Sequence, residues 1–140
     1  MGIEKEYPDG YISQILTDVK TIALVGASSD EKKDSYQVMK FLLEEDYKVF
    51  PVNPNEAGKS ILGQYCYADL HSVKEPIDMV EIFRKPEAVF DIAKDAISIG
   101  SKVLWTQLGI VDEEAAEIAQ KAGLRVIMNK CPKIELQNKY

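Results

Sequence analysis

Five short apolar runs, each closed by a turn signal and separated by longer segments, constrain the fold of this chain more than any other feature. The first run, Thr21–Gly26, is continuously apolar and ends in glycine, as buried parallel strands do. The other four runs occupy residues 47–52, 77–83, 102–106 and 124–128. Runs of this length predict the strands of a sheet that is covered on both faces.

Amphipathic helical stripes lie between these runs. Apolar residues recur at helical spacing over 35–46, over the segment between Pro86 and Gly100, and over 112–123, where Asp112 is the expected N-cap. Strands that alternate with such helices predict an α/β fold. We expect a Rossmann-like, doubly wound parallel sheet of about five strands in three α/β/α layers.

The connection from residue 53 to residue 76 is irregular. We expect a hairpin-like stretch at 61–67 and one turn of helix at 69–73. No linker, repeat or low-complexity tract interrupts the sequence, so residues 1–140 are predicted to form one domain. Residues 1–20 contribute an N-terminal helix that packs on the sheet.

Composition excludes several classes of protein. The chain has 17 basic and 23 acidic residues, a net charge of −6, which is unlike the basic surface that nucleic acid requires. No apolar run reaches the length of a membrane span, and the acidic N-terminus does not resemble a signal peptide. Two cysteines and one histidine suggest neither a disulfide framework nor a metal site. We therefore expect a cytoplasmic protein.

A ligand site is predicted at the carboxyl ends of the strands, where open parallel sheets bind their ligands. The loop after the first strand is small and rich in hydroxyl groups, and its backbone N–H groups can hold phosphate. These features predict that the loop can hold a phosphate group. The candidate residues of this loop and of the helix after it are Gly26, Ala27, Ser28, Ser29 and Ser35.

The same loops lack two common nucleotide signatures. Neither GxGxxG nor a Walker pattern follows Gly26, and the second strand ends in Val52-Asn53-Pro54 without the acidic residue that binds the ribose of NAD. These absences argue against pyridine-dinucleotide and nucleoside-triphosphate chemistry.

Cations cluster in the loops beyond the strand ends. They are Lys32, Lys33, Lys59, Arg84 and Lys85. Arg84 is the strongest candidate for a phosphate contact, because it directly follows a strand and its guanidinium binds with bidentate geometry.

Seven motifs follow one another along the chain between about Thr21 and Glu135. They are Ile22–Ser28, Ser35–Val38, Phe50–Pro54, Gly58–Gly63, Ile77–Arg84, Trp105–Gly109 and Asn129–Glu135. This ordered set resembles the small CoA-binding domain proteins, which are stand-alone relatives of the CoA-binding domain of the succinyl-CoA synthetase alpha subunit.

This resemblance implies that the chain binds coenzyme A or an acyl-CoA across its strand-end loops. When the CoA contacts of the synthetase relative are transferred to the matching motifs of this sequence, they fall on nine residues. These are Ala27, Ser28, Ser29, Asn53, Pro54, Lys59, Thr106, Gln107 and Leu108. From this resemblance we expect the backbone N–H groups of Ala27 to Ser29 to hold the pyrophosphate of the ligand. We expect Asn53 and Pro54 to border the adenosine, and Gln107 and Leu108 to line the path of the pantetheine arm.

The implied role is binding rather than catalysis, in an accessory or sensing function. Ligase chemistry in the synthetase needs a phosphorylated histidine from a second domain, whereas the one histidine here, His71, lies far from that position. An alternative is an enzyme or redox protein that uses another dinucleotide or a thioester, with Cys131 as its reactive group. A homodimer or an unidentified protein partner stays open.

Overall fold

A five-stranded parallel sheet forms the centre of the protein in a computed structural model that describes residues 7–138. Its strands are β1 Thr21–Val25, β2 Lys48–Val52, β5 Met79–Ile82, β6 Val103–Thr106 and β7 Arg125–Ile127. They lie in the order β2-β1-β5-β6-β7. The chain therefore winds outward from β1 in both directions, which confirms the predicted doubly wound parallel sheet.

Helices cover both faces of the sheet. They are α1 Tyr11–Asp18, α2 Asp34–Glu44, α3 Pro86–Ser98, α4 Glu113–Lys121 and α5 Pro132–Gln137. The apolar residues of α3 and α4 share one core with one face of the sheet, while those of α1, α2 and α5 share a second core with the other face. These two cores confirm the predicted three layers.

The connection between β2 and β5 contains the two features expected of it. Strands β3 Ser60–Ile61 and β4 Gln64–Tyr65 form an antiparallel hairpin, and Leu70–Ser72 form one turn of 3₁₀ helix. Tyr67 then hydrogen-bonds alongside β2, donating to the carbonyl of Pro51 at 2.9 Å. The connection thus protects the edge of the sheet at β2.

Helix α5 is an element that the sequence pattern did not predict. It has six residues, and only Pro132 and Leu136 are buried in it, so it carries no helical stripe of apolar residues. Its position follows instead from the segment before it, where the indole N–H of Trp105 donates to the carbonyl of Lys130 at 2.8 Å.

Within residues 7–138, no helix has the length and apolar character needed to cross a membrane. The expectation about a signal peptide concerns residues 1–10, of which residues 1–6 lie outside the described part of the chain.

One acidic side chain lies inside the sheet layer. Glu81 stands in β5 between Leu24 of β1 and Trp105 of β6, and it is 0% exposed. Neither of its carboxyl oxygens has a hydrogen-bond partner among the described residues. Burial, and secondarily the neighbouring Cys131, raise the pKa of Glu81 well above its usual range.

Replacing Glu81 by leucine tests this burial. The folded protein holds the Glu81 proton up to a higher pH than the unfolded chain does, so wild-type stability falls as pH rises from the ordinary glutamate pKa through the raised one. We expect Glu81→Leu to increase the free energy of unfolding by about 1–3 kcal/mol at alkaline pH, and by less at mildly acid pH.

Urea denaturation across this pH interval measures the effect, with the exposed Glu114→Leu as the control. A loss of stability in Glu81→Leu at every pH would contradict this account of the carboxyl group.

Candidate functional site

The first strand-end loop opens onto a cavity of about 420 Å³, called here the first-loop cavity. The end of β1, the start of α2 and the residues just after β2 and β5 meet around it, as the sheet order requires. Its lining residues are Gly26, Ala27, Ser28, Lys33, Asp34, Ser35, Asn53 and Phe83. The structure therefore brings Gly26, Ala27, Ser28, Ser35 and Asn53 of the predicted site together.

Gly26 is required by the packing of the protein chain on itself. Its φ is +94°, and a Cβ atom at this position would lie 2.4 Å from the carbonyl oxygen of Phe83. Its N–H donates to the carbonyl of Val52 at 2.9 Å. The sequence suggests that this glycine leaves room for a ligand. The structure shows that it leaves room for the end of β5.

Two of the three N–H groups expected to hold a pyrophosphate are already engaged. The N–H of Ala27 donates to Val52 at 3.3 Å, and the N–H of Ser29 donates to the Glu56 carboxylate at 3.0 Å. The N–H of Ser28 has no acceptor among residues 7–138. Of the three donors, Ser28 is thus the one available to an anion without rearrangement.

Glu56 is a residue of this site that sequence reasoning missed. One of its carboxylate oxygens accepts the Ser29 hydroxyl at 2.7 Å, while the other accepts the Ser29 N–H. These two bonds lower the pKa of Glu56. The Glu56 carboxylate thus occupies both hydrogen-bond donors of Ser29. No local sequence pattern predicts this contact, because the two residues are 27 positions apart in the sequence.

The start of α2 supplies further donors. The first N–H groups of a helix have no partner within the helix, and the N-cap residue Lys33 provides no side-chain cap. Ser35 is mostly buried against the cavity, and the partial positive charge of the helix N-terminus favours an anion there.

Lys59, a predicted phosphate contact, is directed to Glu56 instead. Its ammonium lies 3.7 Å from the carboxylate of Glu56, and its side chain is 63% exposed. The described arrangement therefore does not place it on the first-loop cavity.

Asn53 joins the loops after β1 and β2. Its side-chain amide donates to the carbonyl of Ala27 at 2.8 Å, and its side-chain oxygen accepts the N–H of Asn55 at 2.9 Å. Both ends of the amide are used in shaping the site.

A second cavity of about 250 Å³, called here the aliphatic slot, lies on the other face of β1 and β2. Pro54 and Arg84 of the predicted site line it, together with Val25, Val52, Ala68, Asp69, Leu70, Ala88, Asp91, Ile92 and Asp95. The Cδ atom of Arg84 lies 3.2 Å from where a Gly26 Cβ would stand. Arg84 is therefore positioned beside both cavities.

The three predicted residues at the end of β6 and in the loop after it differ in exposure to solvent. Thr106 is fully buried, and its hydroxyl donates to the carbonyl of Ile110 at 2.6 Å, so it shapes the loop. Gln107 is 8% exposed, whereas Leu108 is 51% exposed. Leu108 is thus the one of the three that presents a large surface to an incoming ligand.

The histidine and the two cysteines line neither cavity. Among the described residues, no group of three or more histidine, cysteine, aspartate or glutamate side chains is arranged to hold a metal ion. His71 is exposed, with Nε2 at 3.3 Å from the hydroxyl of Ser98. Cys66 and Cys131 are both free and buried.

Comparison with known proteins gives one consistent family. A family model described as a CoA binding domain matches residues 20–137. The chain is 35% identical over 125 residues to the uncharacterized protein YneT of Bacillus subtilis, a match that covers 88% of this chain and 90% of that protein. The crystal structure of Prb, a protein redesigned for binding, matches with a TM-score of 0.91 and 38% identity, covering 97% of this chain and 94% of that one.

A larger relative is an enzyme. The chain is 27% identical over 136 residues to an ADP-forming acetate–CoA ligase of Methanocaldococcus jannaschii. The match covers 91% of this chain and 18% of the ligase, so the chain corresponds to less than a fifth of that enzyme.

The contact between Gly26 and Phe83 predicts a large effect of Gly26→Ala. We expect a loss of at least about 2 kcal/mol of folding free energy, because both the positive φ and the overlap with a backbone carbonyl oppose a side chain. Thermal and urea denaturation measure this loss.

Gly123→Ala is the matched control, since Gly123 has a φ of +95° and a Cβ atom there would meet nothing within 4 Å. Equal losses in the two variants would show that overlap with Phe83 contributes nothing.

Proposed function

The chain belongs to the CoA-binding domain family, and from this premise we propose that it binds coenzyme A or an acyl-CoA at the carboxyl edge of its sheet. The observation that carries the proposal is the first-loop cavity, where a helix N-terminus, the Ser28 N–H and the Ser35 hydroxyl converge next to Lys33 and Arg84. An anionic ligand suits this set of donors and cations.

The pyrophosphate of the ligand occupies the first-loop cavity in this proposal. The N–H groups of Ser28 and of the first turn of α2 donate to its oxygens, and the Ser35 hydroxyl adds another donor. Arg84 and Lys33 neutralise its charge, which matters in a protein whose net charge is −6.

The adenine ring occupies the aliphatic slot. Val25, Val52 and Leu70 give the slot apolar walls suited to a flat ring, and Pro54 closes one side. Asp69 and Asp91 also line the slot and offer acceptors for the amino group of adenine. Arg84, which lies beside both cavities, stands where the adenosine joins the phosphates.

The pantetheine arm leaves the first-loop cavity toward the loop after β6. Leu108 is exposed there, and an apolar side chain in solvent is a favourable surface for the arm to cover. Thr106 and Asn53 act by shaping loops rather than by contact with the ligand.

Binding without ligase chemistry is the role we propose, with a location in the cytoplasm. The single histidine of this sequence, His71, lines neither cavity. In an accessory or sensing role, a second copy of the chain or another protein would respond to the bound ligand.

Calorimetric titration of the full chain with CoA and acetyl-CoA tests the proposal directly. We expect saturable binding and a rise in melting temperature, because a ligand that binds only the folded state stabilises it. NAD and ATP serve as controls for general affinity toward adenine nucleotides. Absence of any CoA binding by a folded protein would refute the proposed function.

The role of Arg84 predicts a charge-dependent loss of affinity. We expect Arg84→Gln to weaken CoA binding by about tenfold, equivalent to about 1.4 kcal/mol, because it removes a charged phosphate contact. The adjacent exposed Lys85→Gln is the control, since Lys85 lines neither cavity. An equal effect of both variants, measured by calorimetry, would assign the loss to net charge alone.

The contact between Glu56 and Ser29 predicts a gain of affinity. Glu56→Gln removes a negative charge beside the phosphate donors and weakens the hold on the Ser29 N–H, so we expect CoA to bind several-fold more tightly. Glu87→Gln, which removes an exposed carboxylate from α3, is the control. Weaker binding in Glu56→Gln would show that Glu56 serves to organise the loop for the ligand.

A further inference from the structure

The loop after β6 is a tight turn with the exposed Leu108 at its second position. The turn comprises Gln107 to Ile110, and the N–H of Ile110 donates to the carbonyl of Gln107 at 3.0 Å. Gly109, its third residue, has a φ of +82°, whereas Leu108 is not among the residues with a positive φ. A hydrogen-bonded turn in which the third residue alone has a positive φ is of type II.

This turn lies next to the first-loop cavity. The N–H of Gln107 donates to the carbonyl of Ile82 at 3.1 Å, which attaches the start of the turn to the end of β5. Phe83, the residue after Ile82, lines the first-loop cavity. The turn is therefore one strand away from the cavity in which the proposed function places the phosphates of the ligand.

Asn129, two residues after the end of β7, holds the central peptide of this turn. Its side-chain oxygen accepts the N–H of Gly109 at 2.7 Å. Its own N–H donates to the hydroxyl of Thr106 at 3.2 Å, and that hydroxyl donates to the carbonyl of Ile110 at 2.6 Å. Asn129 thus supports the turn through both its side chain and its backbone.

The backbone conformation of Asn129 is one that few residues other than glycine adopt. Its φ is +64°, and asparagine is among the residues that tolerate this region best. Backbone conformations of this kind concentrate at functional sites, where they aim a side chain. Here the side chain is aimed at the N–H of Gly109.

The hydrogen bond from Gly109 to Asn129 also fixes the direction of a carbonyl group. Turns of types I and II differ by a rotation of the central peptide through roughly 180°, and glycine at the third position permits both. Because this peptide is planar and trans, its C=O points opposite to its N–H. The carbonyl of Leu108 is therefore directed away from Asn129, and no backbone N–H of residues 7–138 donates to it.

We propose that Asn129 is a positioning residue for the pantetheine arm of CoA, which orients the Leu108 carbonyl to accept an amide N–H of the arm. The arm contains two secondary amides, and each N–H needs an acceptor in place of the water that it loses on binding. The side chain of Leu108 covers the neighbouring methylene groups of the arm. This inference rests on the proposed function, since it requires the phosphates of CoA in the first-loop cavity.

A comparison of CoA with 3′-phospho-ADP, which is CoA without its pantetheine arm, isolates this contribution. In calorimetric titrations of the full chain, we expect Asn129→Gly to weaken CoA binding by about five- to tenfold, as the loss of one hydrogen bond does, and to leave 3′-phospho-ADP binding unchanged. Glycine adopts a positive φ readily, so this variant keeps the backbone conformation. Asn129→Asp keeps an acceptor for the Gly109 N–H and should retain the wild-type ratio of the two affinities.

Gly109→Ala opposes the same orientation of the peptide by a different route. A Cβ atom at Gly109 would meet nothing within 4 Å, but alanine disfavours the positive φ that a type II turn requires. We expect this variant also to lose affinity for CoA and not for 3′-phospho-ADP. Gly100→Ala is the matched control, since Gly100 has a φ of +81° and a Cβ atom there also meets nothing within 4 Å. It should change neither affinity.

Hydrogen exchange of the Gly109 amide measures the positioning itself. We expect exchange at Gly109 to be faster in Asn129→Gly than in wild type or in Asn129→Asp. The Gln107 amide, which is bonded to Ile82, is the internal reference and should exchange at the same rate in all three proteins.

The outcomes separate this inference from the proposed function. Equal losses of affinity for CoA and 3′-phospho-ADP in Asn129→Gly would assign Asn129 a general structural role and overturn the inference. Wild-type affinity for CoA in Asn129→Gly, or binding of 3′-phospho-ADP as tightly as CoA by the wild type, would also overturn it and leave CoA binding intact. Failure of the wild type to bind CoA would refute both.

Discussion

The carbonyl oxygen of Val52 is the contact on which the architecture of the site depends. It accepts the N–H groups of both Gly26 and Ala27, which holds the first loop across the end of β2 while Gly26 presses against Phe83. The side-chain amide of Asn53, the next residue, donates a hydrogen bond to the Ala27 carbonyl. The ends of three adjacent strands are thereby fixed together, and the first-loop cavity and the aliphatic slot open on either side of this junction.

Charges of both signs line this junction, and the proposed anion site lies among them. The N-terminus of α2, Lys33 and Arg84 favour an anion there, while Asp34 lines the same first-loop cavity. Glu56 accepts two hydrogen bonds from Ser29 and forms an ion pair with Lys59, so these groups are already engaged within the protein. The donors left for a ligand are consequently those of Ser28 and the first helical turn.

Sequence patterns predict the fold well, because buried parallel strands and amphipathic helices have distinct periods. Pro86, Gly100 and Asp112 lie at the helix ends where the rules for helix termini place them. Helix α5 is not predicted, because its six residues bury too few apolar side chains to show a helical pattern of apolar residues. Sheet topology also makes it possible to predict which loops meet.

The details of the site are harder to predict from the sequence than the fold, because they depend on contacts between residues that are far apart in the sequence. The sequence identifies Ser28, Ser35 and Asn53, and the structure gathers them around one cavity. No sequence pattern indicates that Glu56 occupies the donors of Ser29 or that the Glu81 carboxyl is buried without a hydrogen-bond partner among the described residues. Both arrangements arise from strand order and loop closure, which no local pattern encodes.

The central claim is that the first-loop cavity binds the phosphates of a CoA ligand, and amide chemical shifts recorded by NMR during a CoA titration test it most directly. We expect the largest shifts on the amides of Ser28, Asp34 and Ser35, with smaller shifts along the aliphatic slot. Shifts confined to the exposed face of α4, at Glu113–Lys121, would contradict it.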